Sequence, residues 1–315
     1  MRRLGVRANA DTPVDAARAR SYGAKGIGLC RTERMFIEGG RRAIVVKMIM
    51  ATDTQERHGF LRELLPFQRQ DFEGIFRVMN GYPVTIRLLD PPMHEFLPPR
   101  EKLLEELYQV KFEVQCNPTP DQSKKLNKRL AELEAVLAVV QRLWETNPMM
   151  GLRGVRAGIM YEGLTEMQTR AIFEAACNVA KEGVQVTPEV MIPLVSHPNE
   201  LKVQRETLEK VAKDVMKEKG IQLPYKFGTM IETPRACVTA DVIAPYADFY
   251  SFGTNDLTQM TFGVSRDDAE GKFLRQYVAR GILPDNPFET IDQEGVGLLM
   301  KIAVQKGRAG NPHIE

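Results

Sequence analysis

A chain of 315 residues, 43% of them apolar, is long enough to bury a large core in one or two domains. Its 43 basic and 41 acidic residues give a net charge of +2, which argues against a nucleic-acid partner. The sequence has no apolar run of membrane length, no apolar signal core near its start and no CxxC pair among its four cysteines. We therefore expect a soluble, cytoplasmic protein without a membrane partner, with organelle targeting of a full-length form as the alternative.

The first elements predict a helix followed by a strand. Thr12 has the character of an N-cap, and the helix should run to about Tyr22, where Gly23 ends it. Residues 27–30 are short and apolar, and they place Arg31 at the end of a strand. Taken alone, Arg31 could equally be a surface arginine.

The same arrangement recurs in PVTIRLLDPP. Residues 84–86 predict a strand that ends near Arg87 and Asp90, and the double proline that follows excludes a helix. Two arginines at strand ends on one face form a candidate anion clamp, because the planar guanidinium matches a carboxylate or phosphate at two points.

Residues 100–147 have the composition of charged helices and predict a helical excursion from the sheet. An apolar stripe at spacings of three and four marks one helix face, and we expect it to serve packing. The stripe consists of Leu126, Leu130, Leu133, Leu137, Val140 and Trp144.

The segment GLRGVRAG is glycine-rich and predicts a loop close to the site, with Arg153 or Arg156 facing it. A short strand is nevertheless expected near Arg153. Thr165 and Gln168 then predict a capping box for a helix that ends at Gly183.

Residues 226–256 have the pattern of a βαβ unit. Two short apolar runs end in Glu232 and Asp256, and the segment between them has room for one crossover helix. The carboxyl ends of parallel strands lie on one face, so the two acids should come together. Two carboxylates without a basic neighbour in sequence indicate a hard divalent cation, most simply Mg²⁺. The alternative is that each acid caps a helix or pairs with a local arginine such as Arg235.

Six strands are expected, and their alternation with helices predicts a TIM (β/α)8-type barrel that is incomplete, with residues 1–315 as one domain. The strands lie near Ile27, Val84, Arg153, Val190, Thr229 and Tyr250. Residues 295–310 predict a helix, and NPHIE stands where a seventh strand would begin, so the chain is expected to be truncated.

Arg31, Arg87 and Arg266, together with Glu232, Asn255 and Asp256, should form a site for a small, densely anionic molecule that carries phosphate and carboxylate. Cys30, Cys177 and Cys237 are expected to be buried apolar residues and not nucleophiles. The four histidines have no partners at metal-ligand spacing, and we expect surface or packing roles for them.

These stretches together resemble the PEP-utilising enzyme family. The resemblance covers almost the whole chain, through GIGLCRTERMF, TIRLLDPPMHEFLP, NPMMGLRGVR, GTMIETPRA and SFGTNDLTQMTFGVSRDD. It is greatest to the branch that interconverts ATP, pyruvate and phosphate with AMP, phosphoenolpyruvate (PEP) and diphosphate. Phosphoenolpyruvate synthase and enzyme I of the sugar phosphotransferase system are weaker alternatives.

The resemblance implies a barrel that binds PEP or pyruvate with Mg²⁺. By matching motif positions, Glu232 and Asp256 would hold the metal as well as substrate. The remaining substrate-binding positions would be Arg31, Arg87, Gly253, Thr254, Asn255 and Arg266. In the family, a phosphohistidine domain and an ATP-binding domain complete the reaction, and the full-length enzyme is expected to be a homodimer.

The chain also departs from the family pattern. It lacks the CGEHGG-type motif whose cysteine exchanges a proton with the pyruvate methyl carbon, and Arg34 stands where relatives often have histidine. We therefore expect that the chain alone does not run the full reaction. A different class of function, a non-catalytic binding or interaction protein on a degenerate barrel, remains the alternative.

Overall fold

Parallel strands form the centre of the molecule. The computed structural model describes residues 4–37, 39–116 and 118–315, and within them six strands form one sheet in the order β1-β2-β3-β4-β5-β6. The sheet curls into an incomplete TIM-type barrel, as predicted. The strands are β1 (Ala8–Asn9), β2 (Ile27–Arg31), β3 (Pro83–Arg87), β4 (Thr187–Ile192), β5 (Lys226–Ile231) and β6 (Tyr250–Phe252).

Helices connect the strands and cover the sheet. Short 3₁₀ helices lie at Met93–Phe96, Pro148–Met150 and Ala244–Tyr246. The α-helices are α1 (Pro13–Ser21), α2 (Thr32–Met35), α3 (Arg41–Met50), α4 (Thr54–Val78), α5 (Arg100–Gln115), α6 (Pro120–Leu143), α7 (Gly154–Met160), α8 (Leu164–Lys181), α9 (Pro198–Lys219), α10 (Pro234–Val238), α11 (Ala240–Ile243), α12 (Thr254–Phe262), α13 (Arg266–Lys272), α14 (Leu274–Ala279) and α15 (Val296–Gly310).

Each strand pairs in parallel with the next strand along the chain, so the carboxyl ends of all strands point to one edge. Arg31 lies opposite Arg87 in the β2–β3 register, and Ile231 lies opposite Phe252 in the β5–β6 register. Residues that follow the strands therefore collect at this edge, which is where TIM-type barrels carry their sites.

Five of the six predicted strands are confirmed, and the one near Arg153 is wrong. Gly154 has a φ of +56°, and α7 begins there, so the chain turns where the strand was expected. The strand that the sequence did not reveal is β1, whose two residues are too short to show an alternating pattern.

The helix-start signals had mixed outcomes. Thr12 caps α1 as predicted, because its hydroxyl accepts a hydrogen bond from the Asp15 backbone N–H. The predicted capping box at Thr165 is wrong, since α8 begins one residue earlier, after the left-handed Gly163. Gln168 instead accepts a hydrogen bond from Leu89 N and donates one to Thr32 Oγ1, which joins the ends of β3 and β2.

The helices predicted within residues 100–147 are α5 and α6. Leu133, Leu137 and Val140 are buried in an apolar cluster that α6 shares with α3 and α5. Trp144 does not follow the stripe, because α6 ends at Leu143 and the indole is 57% exposed. The assignment of residues 1–315 to one domain remains a prediction.

The end of the described chain lies beside β6, where a seventh strand was expected. Tyr250 N donates a hydrogen bond to Glu315 O at 2.9 Å, and Glu315 N donates one to Asp248 O at 3.2 Å. Among the helices of the described ranges, none combines the length and apolar character that crossing a bilayer requires.

The main core fills the space between the sheet and its covering helices, and aromatic rings from α8 and β5 pack at its centre. Phe173 is fully buried, with its ring centroid 5.2 Å from that of Tyr225 and 6.2 Å from that of Phe227. We predict that Phe173→Ala lowers the free energy of unfolding by about 3–5 kcal/mol, because it leaves a cavity in a close-packed core. Urea unfolding followed by circular dichroism measures this change.

Phe112→Ala is the matched control, since this phenylalanine of α5 is 67% exposed. Its expected effect is within about 0.5 kcal/mol. An equal loss in the free energy of unfolding for the two variants would contradict the placement of Phe173 in the core.

Candidate functional site

A cavity of about 540 Å³ opens at the carboxyl edge of the sheet. The end of β3 and the residues that follow β2 and β3 line it, together with residues from the segment before α7, from α12 and from the start of α13. The charged and histidine residues of its lining are Glu33, Arg87, Asp90, His94, Glu95, Arg153, Asp256, Asp267 and Asp268.

Asp90 connects two arginines on one wall of the cavity. Its Oδ2 accepts Arg87 Nη1 at 2.8 Å and Arg153 Nη2 at 2.7 Å, and the residue is only 3% exposed. Arg87 also donates from Nη2 to Glu33 Oε1 at 2.5 Å, and Arg153 donates from Nη1 to Asp256 Oδ1 at 3.0 Å. Three carboxylates from separate elements thus fix two buried guanidinium groups, and Asp90 is shared by both.

The charges of this cluster keep both arginines protonated. Burial by itself lowers the pKa of Arg87, but the carboxylates of Asp90 and Glu33 raise that pKa by more, so that it lies above its ordinary value. The pKa of Arg153 is likewise raised, since Asp90 and Asp256 outweigh the effect of its burial. Both side chains therefore remain permanent positive charges at the cavity wall.

Glu232 lies directly after β5 and is fully buried. Its Oε1 accepts a hydrogen bond from Leu194 N at 2.6 Å, while its Oε2 is buried without a hydrogen-bond partner. Burial first, and then the charges of Asp90 and Asp256, raise the pKa of Glu232 well above its ordinary value. Burying a carboxylate oxygen without a partner costs free energy, and a bound proton or cation would lower that cost.

The backbone around Glu232 is strained at one position and closely packed at another. Leu194 has a φ of +62°, which is uncommon for a residue with a branched side chain, and this conformation belongs to the residue whose N–H binds Glu232. A Cβ on Gly253 would lie 2.2 Å from Glu232 Oε2, so only glycine leaves room for the carboxylate there. Strain of this kind is typical of functional sites.

The structure brings together only part of the predicted site. Arg87, Asn255 and Asp256 line the main cavity, and Glu232 lies close enough to Asp256 and Asp90 for their charges to affect its pKa. Asn255 also lines a neighbouring cavity of about 280 Å³, together with Thr254 and Arg266.

Arg266 and Arg31 are held by other partners. Arg266 donates from Nη1 to Asn255 Oδ1 and from Nε to Glu270, both at 3.3 Å, and its guanidinium lies over the Phe288 ring. Arg31 binds Asp11 through its backbone N, Nε and Nη2, and it is not among the residues that line either cavity. The three arginines thus do not line a single cavity.

Asp256 has a basic partner that is distant in sequence. Its partner, Arg153, lies 103 positions earlier in the chain, so the neighbouring sequence could not show it. The alternative, in which each acid caps a helix or pairs with a local arginine such as Arg235, is wrong. Thr233 caps α10, Gly253 stands at the cap position of α12, and Arg235 donates to the Ser196 carbonyl.

Sequence reasoning did not assign Glu33 or Asp90 to the site, although each had a signal, and it did not choose between Arg153 and Arg156. Glu33 and Asp90 closely follow predicted strands, as Glu232 and Asp256 do. The glycine-rich segment around Arg153 indicated that an arginine there faces the site, and this is confirmed for Arg153, which lines the cavity. Arg156 instead donates to the carbonyls of Met150 and Gly151.

The oxygen atoms of this region fit a hard cation such as Mg²⁺. Glu232 Oε2 is an oxygen without a hydrogen-bond partner, and Asp256, which lines the cavity, is near enough for its charge to act on Glu232. Within the described ranges, no group of three or more His, Cys, Asp or Glu side chains is arranged to hold a metal. A site of two carboxylates still suits Mg²⁺, which commonly keeps several waters and takes further oxygens from its substrate.

The chain is similar to known proteins over its whole length. Residues 1–310 match the family described as PEP-utilising enzyme, PEP-binding domain. The chain belongs to this family. It is 54% identical over its whole length to pyruvate, phosphate dikinase 1, chloroplastic, of Arabidopsis thaliana, and 54% identical to pyruvate, phosphate dikinase, chloroplastic, of Flaveria bidentis. It is 50% identical to pyruvate, phosphate dikinase of Entamoeba histolytica.

The chain spans about a third of the length of these relatives, 31% of the Arabidopsis protein and 34% of the Entamoeba protein. The resemblance inferred from the motifs is thereby confirmed. A PEP-utilising enzyme chain with a charged cavity at the carboxyl edge of its strands has its candidate site where a TIM-type barrel places one.

The cysteines are placed as expected for packing residues. Cys30, Cys177 and Cys237 are buried, and burial raises the pKa of each thiol, that of Cys237 to about 11. The thiolate is the reactive form, and a raised pKa leaves these groups protonated at pH 8. We predict that a thiol-specific disulfide reagent titrates one cysteine per native chain at pH 8, the exposed Cys116, and all four after unfolding. Rapid reaction of two or more thiols in the native protein would contradict this assignment.

Gly253→Ala tests the packing around Glu232. The new Cβ would collide with Glu232 Oε2, so the buried carboxylate must move, and we expect a loss of about 1–3 kcal/mol in the free energy of unfolding. Gly271→Ala is the control, because a Cβ at that position of α13 meets no atom within 4 Å. Gly271→Ala should be neutral or stabilising by up to about 1 kcal/mol, and a Gly253→Ala protein that is as stable as this control would refute the close contact.

Proposed function

We propose that the chain is the domain of a pyruvate, phosphate dikinase that binds PEP or pyruvate together with Mg²⁺. The observation that carries this proposal is the buried cluster at the strand ends. Arg87 and Arg153 share Asp90 there, and the charge of Asp90 acts on Glu232, whose Oε2 has no hydrogen-bond partner. Fixed guanidinium groups suit the carboxylate and phosphoryl group of PEP, and the carboxylates suit its cation.

The balance of charge in the cavity supports a cation as part of the ligand. Six acidic side chains line the cavity and only two arginines oppose them, so a multiply charged anion alone would meet repulsion. The pKa values of Glu33 and Glu95 are raised, chiefly by burial, which disfavours the charged forms of these two side chains. An anion that arrives with a divalent cation fits this cavity better than the bare anion.

Glu232 and Asp256 would hold Mg²⁺, which when bound would supply positive charge to stabilise an enolate and a phosphoryl group in transfer. Arg87 and Arg153 would orient the substrate, since each presents a guanidinium that a buried carboxylate has fixed in advance. Asn255, at the junction of the two cavities, would contact the ligand from the opposite side. Arg31, Gly253, Thr254 and Arg266 remain proposed substrate-binding residues on the basis of the family motifs.

The complete reaction needs groups beyond this cluster. We propose that the phosphoryl group passes to a histidine of another domain, that ATP and phosphate react at a third domain, and that the chain by itself binds substrate without turnover. None of the four cysteines, all within the described ranges, lines the cavity, so none is proposed as the proton donor. The relatives named above are dikinases, which favours this reaction over those of phosphoenolpyruvate synthase and enzyme I.

Oxalate, which mimics the enolate of pyruvate, tests the proposal. We predict that isothermal titration calorimetry detects oxalate binding in the presence of Mg²⁺ and none in its absence. Glu232→Gln should weaken binding by more than about 100-fold, because loss of even an outer partner of a metal ligand costs about 10–100-fold.

Glu206→Gln is the matched control, since Glu206 is an exposed residue of α9. It should bind oxalate like the unmodified chain. Oxalate binding that needs no Mg²⁺, or that survives Glu232→Gln, would refute the assignment of the metal site.

A further inference from the structure

The Arg153 guanidinium binds two carboxylates, which differ in exposure and in the number of their other contacts. Nη2 donates to Asp90 Oδ2 at 2.7 Å, and Nη1 donates to Asp256 Oδ1 at 3.0 Å. The Arg153 side chain is only 10% exposed, and its Nε is buried without a hydrogen-bond partner. Both ion pairs are therefore shielded from water, so that removing one partner would leave a buried charge uncompensated.

The Asp90 side of this fork is fixed. Asp90 also binds Arg87, and its backbone carbonyl accepts a hydrogen bond from Gly154 N at 2.9 Å. Gly154 has a φ of +56°, and a Cβ there would lie 2.7 Å from Leu194 Cβ and 3.2 Å from Asp90 Oδ1. This close packing keeps the backbone of Arg153 next to Asp90.

The Asp256 side of the fork is the more accessible one. The Asp256 side chain is 13% exposed against 5% for Asp90, and α12 presents it to the cavity. Asp256 is also one of the two carboxylates proposed for the cation. Arg153 and a divalent cation therefore compete for the same carboxylate.

We propose that the Arg153–Asp256 ion pair is a latch that couples cation binding to anion binding. The inference rests on the proposed function of this site. A cation that takes Asp256 displaces Arg153 Nη1, while Asp90 retains Nη2 and keeps the guanidinium in place. The displaced N–H then lacks an acceptor in a buried position, which is unfavourable until an oxygen of an anionic ligand accepts it.

The latch sets an order of binding. Before the cation binds, the Arg153 donor that the anion needs is occupied by Asp256, and the acidic cavity repels the anion. After the cation binds, that donor faces the cavity. Each ligand thus favours the other through Arg153, in addition to any direct contact between the two ligands.

If the latch exists, loss of Arg153 should change the affinities for the two ligands in opposite directions. Arg153→Gln frees Asp256, so this variant should bind Mn²⁺ alone about tenfold more tightly than the unmodified chain, as judged by the electron paramagnetic resonance signal of free Mn²⁺. The same variant should bind oxalate in the presence of Mg²⁺ about tenfold or more weakly in calorimetry. A tenfold change is the size expected for one charged hydrogen bond. For Mn²⁺ it is the competing bond from Arg153 to Asp256 that is lost, and for oxalate it is the bond from Arg153 to the ligand.

Arg34→Gln is the control for charge. It removes the same positive charge from a side chain that is 60% exposed and pairs with Asp11 instead of Asp256. It should change Mn²⁺ affinity by a few-fold at most. Arg153→Lys provides a second variant in case Arg153→Gln does not fold by circular dichroism, because one ammonium cannot bridge two carboxylates as the guanidinium fork does. Its affinity for Mn²⁺ should lie between those of the unmodified chain and Arg153→Gln.

Two results would overturn the latch. The first is Mn²⁺ affinity in the Arg153 variants no higher than in Arg34→Gln. The second is tighter Mn²⁺ binding by Arg153→Gln without any loss of oxalate affinity. Failure of the unmodified chain to bind oxalate with Mg²⁺ would instead refute the proposed function, so calorimetry on the unmodified chain separates the two failures.

Discussion

The salt bridges of Asp90 with Arg87 and Arg153 are the interaction on which the candidate site depends. Asp90 follows β3, and Arg153 immediately precedes α7, so one carboxylate joins the sheet to a connecting segment. Removing one partner from such a buried network would leave an uncompensated charge, which typically costs about 3–5 kcal/mol. The cluster therefore contributes to the folded geometry as well as to the chemistry of the cavity.

The same cluster explains why the site calls for a cation. Burial and neighbouring carboxylates raise the pKa of Glu232, and its Oε2 has no partner, so the charged form of this residue is unfavourable in the free chain. A divalent cation would reverse that balance by giving the oxygen a positive neighbour. The same cation would attract an anion with two or three negative charges. The proposed metal site and the proposed substrate site therefore depend on each other.

Sequence patterns predicted much of the fold and less of the site. Helices α1, α5, α6, α8 and α15, five of six strands and the place of Glu232 and Asp256 after strand ends followed from local periodicity, caps and apolar runs. Contacts between distant segments were not accessible in this way. Arg153 reaches Asp256 across 103 positions, and Arg31 turns to Asp11 instead of the cavity that Arg87 lines. Periodicity shows which face a residue occupies, but not which partner its side chain selects.

The central claim is that Glu232 and Asp256 hold a divalent cation at the carboxyl edge of the barrel. Anomalous diffraction from crystals soaked with Mn²⁺ and oxalate tests this claim most directly. The account predicts one strong anomalous peak in contact with carboxylate oxygens of both Glu232 and Asp256, with oxalate oxygens completing its coordination. A peak bound by other residues, or oxalate bound in the cavity without a metal peak, would contradict it.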